Sequence, residues 1–118
     1  MTDRRYTIAV TIGWPPRPLS PNSRSHWAVR ARAARAYRTE AHNVALDQIN
    51  RRPTEAPLPW RRALLRVTAY TPDRRRWDWD NLLAALKPAI DGLRDAGIIA
   101  DDDTAALTML PPRRIHQK

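Results

Sequence analysis

Asp73-Arg-Arg-Arg-Trp-Asp-Trp-Asp-Asn81 is the stretch on which the reading of this chain turns. Asp78 and Asp80 stand two residues apart, interleaved with Trp77 and Trp79 and preceded by Arg74, Arg75 and Arg76. In an extended segment a period of two places both carboxylates on one face and both tryptophans on the other. A helical turn would instead splay the carboxylates by roughly 200°. The tryptophans are either core or base-stacking platforms.

Downstream, residues 82–96 have helical periodicity, with Leu83, Leu86, Ile90 and Leu93 as the apolar stripe and Gly97 at the C′ position. Asp80 or Asn81 can cap its start. Pro88 either kinks this helix or opens a second one at its first turn. Lys87 and Asp91 are four apart and share a face, as an ordinary ion pair or as site residues. Ile98-Ile99-Ala100 then gives way to Asp101, Asp102 and Asp103. Three adjacent carboxylates either mark a turn or gather around something positive. Residues 104–110 read as a strand, and residues 111–118 and 1–4 as flexible tails.

Upstream, residues 63–71 read as a strand, central because Leu64 and Leu65 place apolar groups on both faces. A proline loop covers residues 52–60. Residues 26–52 read as a long helix with Ser25 as N-cap and Trp27, Ala34, Tyr37, Ala41, Ala45 and Ile49 recurring at helical spacing. Its arginines either follow a duplex backbone or solvate the surface. Four prolines within residues 15–21 exclude regular structure and predict an extended loop. Arg17, Asn22 and Arg24 there are suited to phosphate contacts, or belong to a plain rigid connection. Residues 5–13 alternate, with Tyr6, Ile8, Val10 and Ile12 on one face, and predict a half-buried strand. Together these elements predict one α+β domain over residues 1–118, a small mixed β-sheet packed against two main helices.

Charge is partitioned along the chain. The 118 residues carry a net charge of +9, yet residues 73–103 carry about −3 and the remainder about +12. An acidic site in a basic body fits an enzyme that holds a divalent cation and works on a polyanion. Only Lys87 and Lys118 of the 21 basic residues are lysine, and Lys87 sits inside the acidic stretch. The chain has no cysteine, which excludes disulfides and thiolate metal sites. Its histidines, His26, His42 and His116, form no ligand pair. Three glycines leave no glycine-rich phosphate loop. The N-terminus lacks a signal-like apolar run and no stretch approaches a membrane span, so a cytoplasmic protein is expected.

Phosphodiester cleavage needs an oriented water, charge relief in the transition state and a stabilised leaving oxygen. Carboxylate-held Mg²⁺ supplies all three. Asp78 and Asp80 on one strand face, with Asp102 from the loop opposite, would form such a site, with Asp101 as the neighbouring alternative to Asp102. Lys87 would neutralise phosphate charge, and Asp91 would orient Lys87 or join the site.

At these residues the chain resembles the RusA family of Holliday junction resolvases, small endodeoxyribonucleases common in phages and prophages. The likeness rests on Pro72-Asp-Arg-Arg-Arg-Trp-Asp-Trp-Asp-Asn81, Lys87-Pro-Ala-Ile-Asp91-Gly-Leu93, Ala96-Gly97 and Asp101-Asp102. Trp14-Pro-Pro, Asn22 and Tyr37-Arg38 fit more loosely. The lysine aligns through Asp91, which preserves the K-x-x-x-D spacing. The resemblance implies a RusA-like fold and a Mg²⁺-dependent homodimer, with Mn²⁺ as a possible substitute, that resolves four-way DNA junctions by paired nicks. It maps the catalytic, metal-holding carboxylates to Asp78, Asp80 and Asp102 and the essential lysine to Lys87. Arg17, Asn22, Arg24 and Arg74–Arg76 are the expected DNA contacts, and Asn81, Asp91 and Asp101 the supporting residues. A basic DNA-binding protein of the same fold that does not cut is the alternative, and a Mg²⁺ phosphotransferase acting on nucleotides a third.

Overall fold

The structure is a computed structural model that describes residues 6–51, 57–72, 76–100 and 107–116. It mixes helices with small parallel β-ladders. The elements are α1 (Trp27–Arg51), β1 (Ala63–Leu65), β2 (Thr68–Thr71), α2 (Trp79–Ala85), α3 (Lys87–Asp95), β3 (Leu107–Met109) and β4 (Arg113–His116).

Helix α1 is long because residues 27–51 contain neither glycine nor proline and many alanines. Its start is capped by His26, whose Nδ1 accepts the Ala28 N–H at 3.1 Å, rather than by the expected Ser25. The Ser25 hydroxyl instead pairs with Ser23 Oγ at 2.8 Å. Tyr37, Ala41 and Ala45 are the buried residues of α1. Trp27, expected on the apolar stripe, is 73% exposed.

Residues 60–71, α2 with α3, and Ile99 with β3 and β4 form a β–helix–β unit. Trp60 bridges Ile99, β1 pairs with β3, and β2 pairs with β4, all in parallel. Parallel pairing requires a crossover, and the two helices supply it. The expected mixed sheet is thus parallel throughout the described residues. The expected single strand over residues 63–71 is interrupted at Arg66 and Val67. From Trp60 to Ala63 is three steps, but from Ile99 to Leu107 is eight, so the return strand carries five surplus residues there. It carries one more between Met109 and Arg113, opposite Leu65 to Thr68. That second surplus contains Pro111 and Pro112, which have no N–H for a ladder. The ladder resumes at Arg113, whose N–H donates to Val67 O at 3.0 Å. Residues 113–116, expected in a flexible tail, therefore form a strand.

Leu64 is 68% exposed, so the strand is not buried on both faces as expected. Residues 7–13 keep the expected alternation of exposure but join no ladder. They lie across the helices: Ile8 and Val10 pack on the Ala45–Ile98–Ile99 cluster and Ile12 on the Tyr37–Ala41–Ala89 cluster.

Helix α3 begins at Lys87 with Pro88 in its first turn, so the second of the two expected arrangements is the one adopted. It ends in a Schellman motif: Ile98 N–H donates to Leu93 O, Gly97 N–H donates to Arg94 O, and Gly97 has φ +85°. The most buried face of α2 and α3 is Leu82, Ala85, Ala89 and Gly92. The expected stripe of Leu83, Leu86, Ile90 and Leu93 is only half-buried. Small residues win the central position because α1 and α3 approach closely. A Cβ added at Gly92 would collide with Arg38 O and lie 2.9 Å from Ala41 Cβ.

Candidate functional site

Asp78 and Asp80 follow β2 in the chain and open α2. Asp78 is extended (φ −91°, ψ 120°) and is the N-cap of α2; its Oδ1 accepts the Asp80 N–H at 2.8 Å. Asp80 lies in the first helical turn. The expected common strand carrying both carboxylates is therefore not formed, and the N-cap is Asp78 rather than Asp80 or Asn81. Competition from the cap decides this: an aspartate that satisfies an orphan N–H starts a helix sooner than the two-residue period suggests. Both carboxylates remain exposed, and Asp78 keeps Oδ2 for a further partner.

An open cleft of about 480 Å³ adjoins this corner, lined among others by Trp14, Arg17, Ser20, Trp77, Asp78 and Asn81. One wall is the proline segment, which is not fully irregular as expected: Arg17–Leu19 is a 3-10 turn that buries Leu19. Two α1 side chains fix its entry. The Tyr37 hydroxyl donates to Gly13 O at 2.8 Å, and Gly13 N–H donates to Glu40 Oε2 at 2.8 Å. Burial, and secondarily the Glu40 charge, pushes the Tyr37 phenol far above its ordinary pKa, so it stays a donor. The sequence reading missed this clamp; its signal was a tyrosine and a glutamate three apart on one helix face.

Trp77 forms the other wall. Its ring meets Trp14 edge-on at 5.6 Å and Trp79 at 4.3 Å, and the Arg114 guanidinium lies 5.1 Å from its centroid. Its Nε1 is buried and has no hydrogen-bond partner among the described residues. Trp77 and Trp79 are thus both half-buried, intermediate between core and platform.

Lys87 Nζ lies 3.5 Å from Asp91 Oδ1, as the four-residue spacing implies. Asp91 also accepts from Arg94 Nη2 at 2.7 Å, so its charge is shared between two cations. Lys87 stays 70% exposed. Arg17, Asn22, Arg24 and Arg76 are exposed. Asp73, Arg74, Arg75, Asp101, Asp102 and Asp103 lie outside the described residues, so the third carboxylate and part of the basic run are not placed. Among the described residues no three acidic or histidine side chains form a group that could hold a metal ion. Asp78 and Asp80, both exposed, offer oxygen donors only, the chemistry a hard cation such as Mg²⁺ takes. No helix among the described residues is long and apolar enough to cross a membrane.

The chain is 38% identical over 88 residues to an uncharacterized protein of Xylella fastidiosa (strain Temecula1 / ATCC 700964), with 75% of this chain and 56% of that protein aligned. The aligned part thus spans little more than half of the relative's length. No family model and no solved structure matches the chain.

Proposed function

We propose that this protein is a Mg²⁺-dependent, structure-selective endodeoxyribonuclease of the RusA type that acts on four-way DNA junctions as a homodimer. The supporting observation is two exposed aspartates at the start of α2, Asp78 and Asp80, the first of them lining an arginine-bearing cleft, in a molecule of net charge +9. The motif resemblance supplies the reaction class.

Asp78 and Asp80 would hold the cation, with Asp102 as third carboxylate. When bound, Mg²⁺ supplies a water of lowered pKa and relieves charge on the phosphoryl oxygens. The chain's own residues do the rest. Asp78 fixes the start of α2 and with it the position of Asp80. Lys87, exposed and steered by Asp91, offers a compact cation to a phosphate oxygen. Arg17, Arg24 and Arg76 supply backbone contacts that position the duplex arms. A two-fold dimer suits a substrate with two equivalent strands.

A nicking assay on a synthetic four-way junction tests this. Paired nicks in Mg²⁺ and none in EDTA are expected. Retarded junction migration without any nick in either condition would leave the second reading, a basic DNA-binding protein, which the charge alone supports.

A further inference from the structure

Resting on the nucleic-acid reading above, we infer that the cleft lined by Trp14 and Trp77 receives one unstacked nucleobase of the bound DNA. The cleft's volume of about 480 Å³ falls in the range of small-molecule sites. Its lining is largely apolar, as suits the face of a base, with Arg17, Ser20, Asp78 and Asn81 as its polar groups. Trp14 is 53% exposed, so much of its surface is open to contact. Its ring meets Trp77 at 83°, an edge contact rather than a stack. A planar base gains affinity by stacking on such an open ring whatever its sequence. Asn81 brings an amide that can both donate to and accept from a base edge.

Arg17 lines the same cleft and is exposed, placed for the phosphate that accompanies the base. The wall is rigid where it needs to be: Gly13, next to Trp14, is held at both backbone groups by Tyr37 and Glu40. Pro15 and Pro16 then restrict the chain that follows. An ordered aromatic pays little entropy when a base stacks on it. Unstacking a base costs least where it is mismatched, damaged or already single-stranded.

The test is binding without metal, in EDTA. Fluorescence anisotropy compares an oligothymidylate of about eight nucleotides with an abasic oligonucleotide of equal length and charge. The intact protein should prefer the base-bearing strand by about five-fold or more, the low end of what one stacked base supplies. Trp14→Ala should erase that preference while leaving affinity for the abasic strand unchanged, and Trp14→Phe should restore most of it. Equal affinity for the two strands, binding to neither, or a preference that survives Trp14→Ala overturns the inference. Junction nicking in Mg²⁺ is scored separately. Nicking without base preference sinks the cleft alone, and base preference without nicking sinks the nuclease reading alone.

Discussion

Gly92 sets how closely α1 and α3 can lie. Its missing side chain is what lets the Arg38 carbonyl, Ala41 and the His42 backbone N approach. In Gly92→Ala the new methyl has backbone on two sides, so the helices must separate. Overpacking of this kind costs about 1–3 kcal/mol. Urea denaturation should show a lower midpoint with an unchanged slope; a variant as stable as the parent would mean that the helices cross elsewhere. Asp80 is exposed and its side chain holds no part of the fold together. Asp80→Asn should therefore fold normally, abolish Mg²⁺-dependent nicking, and bind junction DNA as well or better, because a charge facing the phosphates is gone. Gel shift and nicking on the same preparation check this, and joint loss of binding and cutting would make Asp80 structural.

The ends of α3 show how an element is held in place. At its C-terminus Gly97 adopts φ +85°, a region that costs an L-residue about 1–2 kcal/mol. Gly97→Ala should lower stability by that amount, although a Cβ there meets nothing within 4 Å. The loss, measured by thermal melting, would be conformational rather than steric. Near the same end, Asp95 accepts from Arg38 Nε and Nη2 at 2.5 and 2.8 Å, tying α3 to α1. That hydrogen bonding, with the Arg38 charge behind it, holds the Asp95 carboxyl below its ordinary value of 3.8. A depressed folded-state pKa means that the stabilisation is fully present above the unfolded value and is lost as pH falls through the folded one. Asp95→Asn should accordingly destabilise the protein near neutrality and flatten its melting-temperature profile below about pH 4. An unaltered acid profile would show that the pair is too solvated to matter.

On the scale of the whole molecule, charge is unevenly spread, about −3 over residues 73–103 against about +12 elsewhere. Binding to DNA should therefore be steeply salt-dependent. Replacing Arg74, Arg75 and Arg76 by glutamine should reduce the slope of log affinity against log salt by about 0.9 for each phosphate contact removed. A slope equal to that of the parent would place those arginines away from the DNA.

Local chemistry was enough for much of this protein. The absence of helix breakers over residues 27–51 and the glycine at 97 mark α1 and the C-terminal end of α3 without any tertiary information, because backbone preference acts within a few residues, while the proline at 88 allowed either a kink or a helix start. The partition of charge is likewise visible in the chain, since it depends only on composition along it, whereas the common face expected for Asp78 and Asp80 gave way to the N-cap of α2. Three-dimensional packing decided what spacing could not. It gave the centre of the helix–helix contact to Ala89 and Gly92 rather than Leu86 and Ile90, because two backbones that close leave no room for longer side chains. It made residues 113–116 a strand, because the exposed edge of β2 offered them a ladder. It laid residues 7–13 across the helices instead of along a sheet, with α1 supplying the donor and the acceptor that hold Gly13. The cleft beside Asp78 exists for the same reason: Trp14 and Trp77, 63 positions apart, meet only after the helices have packed.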